Sequence, residues 1–184
     1  MNPRLLLQKL PAIKTWIADT LASHHAMERQ VTSYAFPRLA AYYSTRLLAS
    51  SHVVEVPCVP IPPLTALGLP EFAKFENGVY EGVAYLNTYF VQASVATSES
   101  LHFHELVHVV QWQHLGADRF LQAYAFGYLQ AGTYLANPFE IRARNLQACF
   151  DQNVTPFDAA ALSRQNLDTL ASALCNWAFN GGLE

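Results

Sequence analysis

Half of the chain's ten prolines, Pro57, Pro60, Pro62, Pro63 and Pro70, fall between residues 57 and 70. Proline has no N–H to donate and clashes with the preceding helical turn, so this stretch is closed to helix and to the interior of a sheet. It separates parts of the chain with different periodicities. Before it, Leu6, Leu10, Ile13, Ile17 and Leu21 recur at three- and four-residue steps. They predict one apolar helical stripe, kinked or restarted at Pro11. A second helix is expected from Pro37, with Leu39, Tyr43 and Leu47 on one face, and a short edge strand over 53–56. His24 and His25 lie between the two helices and read as surface residues. Residues 1–52 are a thin basis for a separate core. The chain is therefore read as one domain over 1–184: a helical part (1–52), strands with the proline-rich segment (53–96), and a second helical part (97–184).

After the prolines the period changes to two. Val79, Glu81, Val83 and Tyr85 alternate with Tyr80, Gly82, Ala84 and Leu86, which predicts a strand. Asn77-Gly78 suits a type I′ turn and would pair that strand with 72–75 as a hairpin. Another strand is expected over 88–94, opening on Thr88-Tyr89-Phe90-Val91. From residue 98 the pattern is helical: Thr97 or Ser98 as a cap, a stop at Gly116, a new start at Asp118 and an end at Gly132. Asn137-Pro138 supplies the cap and first residue of the next helix, and further helical pattern covers 157–178. The fold class is α+β, a small antiparallel sheet beside several helices.

Composition excludes several functions. With 52% hydrophobic and 14% charged residues the chain is not of the disordered type. A formal charge of −3 offers no basic excess for nucleic acid. No apolar run reaches the roughly 18 residues of a membrane span. Cys58, Cys149 and Cys175 are odd in number, far apart and without CxxC spacing, so they are expected to be buried, reduced thiols of a cytoplasmic protein.

The chemistry is concentrated in Leu101-His102-Phe103-His104-Glu105-Leu106-Val107-His108, which contains HExxH. Histidines four apart on a helix differ by about 40° in rotation and about 6 Å in rise, so His104 and His108 can reach one metal ion. Glu105 stands one step away, placed to act as a base on a water beside that ion. A catalytic zinc takes three protein ligands. The only acids between 108 and 151 are Asp118 and Glu140, so Glu140 is the best third ligand. It has a rival role, because Asn137 and Glu140 also have capping-box spacing. His102 and His114 point about 200° and 240° away from the pair and are poorer ligands.

HELVH followed by a distant NPFE helix resembles the zincin metallopeptidases of the glutamate-ligand branch, the gluzincins, over residues 79–150. The resemblance implies a zincin-like core and a Zn2+ ion on His104, His108 and Glu140. It also implies hydrolysis of a peptide or protein substrate with Glu105 as base. An extended substrate would add beside a strand, here 82–86 or 88–94. Tyr124, Tyr128 and Tyr134 lie between the ligand segments, and Tyr134 is the candidate oxyanion donor. In thermolysin-like members an acid four places after the ligand glutamate braces a histidine; here that residue is Arg144. A degenerate zincin that binds metal without proteolysis is the alternative.

Overall fold

The computed structural model describes residues 2–183 and is α+β, with seven α-helices and one four-stranded mixed sheet among them. Helix α1 (Pro3–His24) starts where Asn2 accepts from the Arg4 N–H and Pro3 takes the first turn. Its predicted stripe, Leu6, Leu10, Ile13 and Ile17, is buried. Pro11 lies inside the helix without ending it. Its ring stands on the exposed side, where water can hydrate the carbonyl that lacks its N–H partner.

The helix expected from Pro37 is instead a 3-10 turn (Leu39–Ala41) followed by α2 (Thr45–Ser50). The backbone N–H groups of Arg38 and Leu39 donate to the Glu99 carboxylate (2.7 and 2.9 Å), and Ser44 caps α2. Leu39, Tyr43 and Leu47 are buried all the same.

Strand β1 (Arg29–Gln30) pairs antiparallel with β2 (His52–Val56), β2 pairs parallel with β4 (Thr88–Gln92), and β4 pairs antiparallel with β3 (Gly82–Tyr85). Two expectations are corrected here. The sheet is mixed rather than antiparallel, and 53–56 belongs to an inner strand rather than an edge. The long excursion over 57–81 leads into β3, which runs opposite to β2, and the β3–β4 hairpin then brings the chain back parallel to β2, the crossover a parallel pair requires. Val53 and Val54 on β2, and Tyr89, Phe90 and Val91 on β4, are completely buried.

The hairpin at Asn77-Gly78 does not form. Pro70–Phe72 makes a 3-10 turn that runs into α3 (Ala73–Glu76), and the Asn77 side chain donates to the Ala73 carbonyl (2.7 Å), closing that helix. The strand read over 79–86 shrinks to β3, which joins β4 through Leu86, at φ 60°, and Asn87.

Helix α4 (Glu99–Ala131) is capped by Ser98 and contains a sharp break at Gly116 (φ 72°, ψ 165°), the predicted stop. Every residue from Leu101 to Trp112 is buried, so this half is enclosed on all sides. Gly132 ends the helix in the left-handed conformation. Helix α5 (Pro138–Asp151) begins with Asn137 as N-cap, and α6 (Ala159–Arg164) and α7 (Leu167–Trp177) cover α4. No described helix is long and apolar enough to cross a membrane. The three cysteines are unpaired; Cys58 is exposed rather than buried, because it sits in the proline-rich segment, and the other two are half-buried.

Candidate metal centre

Two helices build the centre. The enclosed half of α4 presents His104 and His108, and the first turn of α5 presents Glu140; their exposures are 7%, 6% and 2%. Asn137 sets the approach of α5. Its Oδ1 accepts from the Phe139 N–H, and its Nδ2 donates to the Tyr124 carbonyl on α4 (3.1 Å). Gly127 on α4 leaves room for it, since a Cβ there would press on Asn137 Oδ1.

The three side chains converge. His104 Nε2 lies 3.1 Å from His108 Nε2 and 3.4 Å from Glu140 Oε2, and His108 Nε2 lies 3.2 Å from Glu140 Oε1. Donors about 2.1 Å from one tetrahedral ion stand about 3.4 Å apart, so the spacing suits a single small cation. Among the described residues this is the one such group of metal-ligating side chains. The capping box is absent: the Asn137 N–H donates to the Tyr134 carbonyl, and Glu140 faces the histidines.

Protonation supports the same fit. His104 Nδ1 lies 2.9 Å from Gln147 Oε1, and His108 Nδ1 lies 2.8 Å from Gln111 Oε1. An amide oxygen only accepts, so each Nδ1 carries the proton and each Nε2 turns a lone pair toward the centre. Two facing lone pairs and a buried carboxylate, whose Oε2 has no hydrogen-bond partner, call for positive charge between them. Burial depresses the basicity of His108, but the Glu140 charge and hydrogen bonds to Glu140 and Gln111 outweigh it and raise its pKa. Burial likewise pushes Glu140 up, yet His108 and His104 hold it well below the usual carboxylate range. A proton at His108, or a cation shared by all three residues, answers that demand.

Glu105 adjoins the cluster, 3% exposed, with Oε2 unpartnered. Burial pushes its carboxyl up to about 8, with the His104 charge opposing and the Glu140 charge adding to the shift. Gly82, at the start of β3, packs directly on it; a Cβ at that position would overlap Glu105 Oε1. Tyr124 donates to Glu140 Oε1 (2.7 Å). Tyr134 stacks edge-on against Tyr80 (centroids 4.9 Å apart) beside the centre, and burial, then the charges of Glu140 and Glu105, raise its pKa. Tyr128 points elsewhere, among Phe72 and Phe75.

The rival histidines stay out. His102 is buried, with Nδ1 2.6 Å from the Tyr89 hydroxyl and Nε2 2.9 Å from the Ala96 carbonyl, and burial lowers its pKa to about 4. His114 lies 2.6 Å from Asp168. Arg144 donates to the Leu135 carbonyl, steadying the loop that carries Tyr134. Bracing of the imidazoles falls to Gln147 and Gln111, which sequence reasoning missed along with Gly82. Gln147 is legible in retrospect, seven residues and two turns beyond Glu140 on the same face. No protein-family model, curated protein or solved structure matches this chain.

Proposed function

We propose that this protein is a zinc metallopeptidase, with His104, His108 and Glu140 as ligands and Glu105 as general base. One observation carries the reading: a buried carboxylate with an unpartnered oxygen stands beside a buried His/His/Glu cluster, on a helix that opens toward a sheet edge. Two imidazoles and one carboxylate suit zinc, and three protein ligands leave a position for water or substrate. When bound, such an ion polarises the scissile carbonyl and acidifies a water. Glu105 then receives the proton of the attacking water and passes it to the leaving amine. Its burial makes it a stronger base than an exposed glutamate. Of the two strands considered for substrate addition, β4 is interior, so β3 alone offers an edge. The Ala84 carbonyl on β3 already accepts from Trp112 Nε1 (2.9 Å), which leaves an added strand to use the backbone around Gly82, next to Glu105. Tyr134, packed on Tyr80 beside the centre, is the proposed donor to the oxyanion.

A metal-binding protein without hydrolysis is the second reading, favoured by the neutral glutamines that brace both imidazoles where a carboxylate would strengthen them as ligands. Metal analysis of the zinc-loaded protein and a peptide-library assay, run on the parent and on Glu105→Gln, test the two. The peptidase reading expects one zinc per chain in both proteins and cleavage by the parent only. A zinc-loaded parent that cleaves nothing supports the second reading.

A further inference from the structure

The metal centre opens into an apolar cavity of about 110 Å³, on the scale of the roughly 150 Å³ apolar cavities that take up a single benzene ring. One wall is the buried stripe of α1, Leu6, Leu10, Ile13 and Ile17; the facing wall is α4, with Trp112, Phe120 and Ala125. Ile61, Pro62 and Leu64 of the proline-rich segment close one side. Apart from Glu105, His108 and Glu140 at its end, no charged residue lines it.

The tyrosines in its wall do not make it polar. Of the five, three turn their polar ends to partners within the protein: the Tyr80 hydroxyl donates to the Phe75 carbonyl, Tyr85 to the Pro60 carbonyl and Tyr124 to Glu140. The void has apolar walls and its hydrogen-bonding groups gathered at one end. The apolar character continues outside: Val79, next to Tyr80, is 91% exposed, and Leu135, next to Tyr134, is 66% exposed. The Tyr80–Tyr134 contact links the two loops that carry them.

We infer that this cavity is a binding site for an uncharged aliphatic or aromatic group, held with its polar end at the metal centre. A charged group would lose its hydration with no countercharge in the walls, and a small one would leave apolar surface uncovered. On the peptidase reading, which this part of the inference rests on, the group is a large apolar side chain beside the scissile bond. Substrates with leucine or phenylalanine there would then be preferred over those with aspartate by at least about tenfold in kcat/KM.

The test separates the cavity from the chemistry. Metal-free protein is titrated calorimetrically with toluene, a neutral single-ring probe on the scale of the void, in the parent, in Ala125→Phe, which fills the void, and in Ile61→Asp, which places a charge on a half-buried wall position. The expected result is saturable binding of one probe per parent chain, weakened at least about tenfold in each folded variant. No saturable binding by the parent, or parent-like affinity in the folded variants, overturns the inference. If the probe binds as expected while the zinc-loaded parent cleaves no peptide, the cavity stands and the peptidase reading falls.

Discussion

Glu140 carries two demands on one carboxylate, and its geometry turns it toward the imidazoles rather than back onto the cap. Both oxygens face the imidazoles, and one also accepts from Tyr124. Loss of a helix cap costs about 0.5–2 kcal/mol, whereas loss of one ligand in three weakens metal binding by orders of magnitude. Glu140→Ala is therefore expected to abolish tight zinc uptake in a chelator-competition titration; parent-like affinity with only a lower Tm would return Glu140 to a capping role. Gln147 gives a graded counterpart. It orients His104 and is itself tied to Ser100 Oγ (2.9 Å). Gln147→Ala is expected to lower zinc affinity about 10–100-fold, the usual effect of removing a partner that orients a ligand, with three ligands still in place. An unchanged affinity would show that packing alone holds the His104 ring. At this scale the sequence was legible where chemistry limits the candidates: few acids follow HExxH, and one of them stands after Asn-Pro. Gln147 and Gln111 escaped because glutamine on a helix ordinarily reads as a solvated residue.

Among the elements, α4 shows most plainly how one residue aims a site. Gly116 breaks the helix at φ 72° and ψ 165°, a region of backbone space that is essentially glycine's own. Beyond it the second half of α4 carries Tyr124 to Glu140. A Cβ at Gly116 would meet nothing within 4 Å, so a substitution there acts through the backbone alone. Gly116→Ala is expected to lower stability by about 1–3 kcal/mol in denaturant titration. A neutral outcome would show that the break relaxes into continuous helix. The stop at Gly116, the end at Gly132 and the start at Asn137-Pro138 were all readable, because each depends on a residue with a particular backbone preference. Asn77-Gly78 misled for the same reason. The pair suits a hairpin, but the preceding Pro70 turn leads into α3, and Asn77 ends that helix instead. The parallel pairing of β2 with β4 was not readable at all, since alternation reveals a strand's faces but not its direction.

For the whole molecule, the buried centre makes stability depend on what occupies it. Glu105 is enclosed by α4, β3 and the cavity, and its carboxyl is raised to about 8 from an ordinary 4.5. Below pH 4.5 it is protonated in both folded and unfolded chains and adds no slope. Between pH 4.5 and 8 the folded chain keeps a proton that the unfolded chain has released, so rising pH favours unfolding, and above pH 8 the loss is complete. Glu105→Gln cannot ionise and so lacks this term. In metal-free protein the variant's Tm is expected to gain on the parent's as pH rises from 4.5 to 8, and the gap then to hold steady. Zinc loading should narrow the gap, because a divalent charge on His104, His108 and Glu140 favours the ionised form of the carboxylate beside it. A gap constant across this range in the metal-free proteins would mean that Glu105 ionises like an exposed glutamate, and that the centre is wetter than its burial implies.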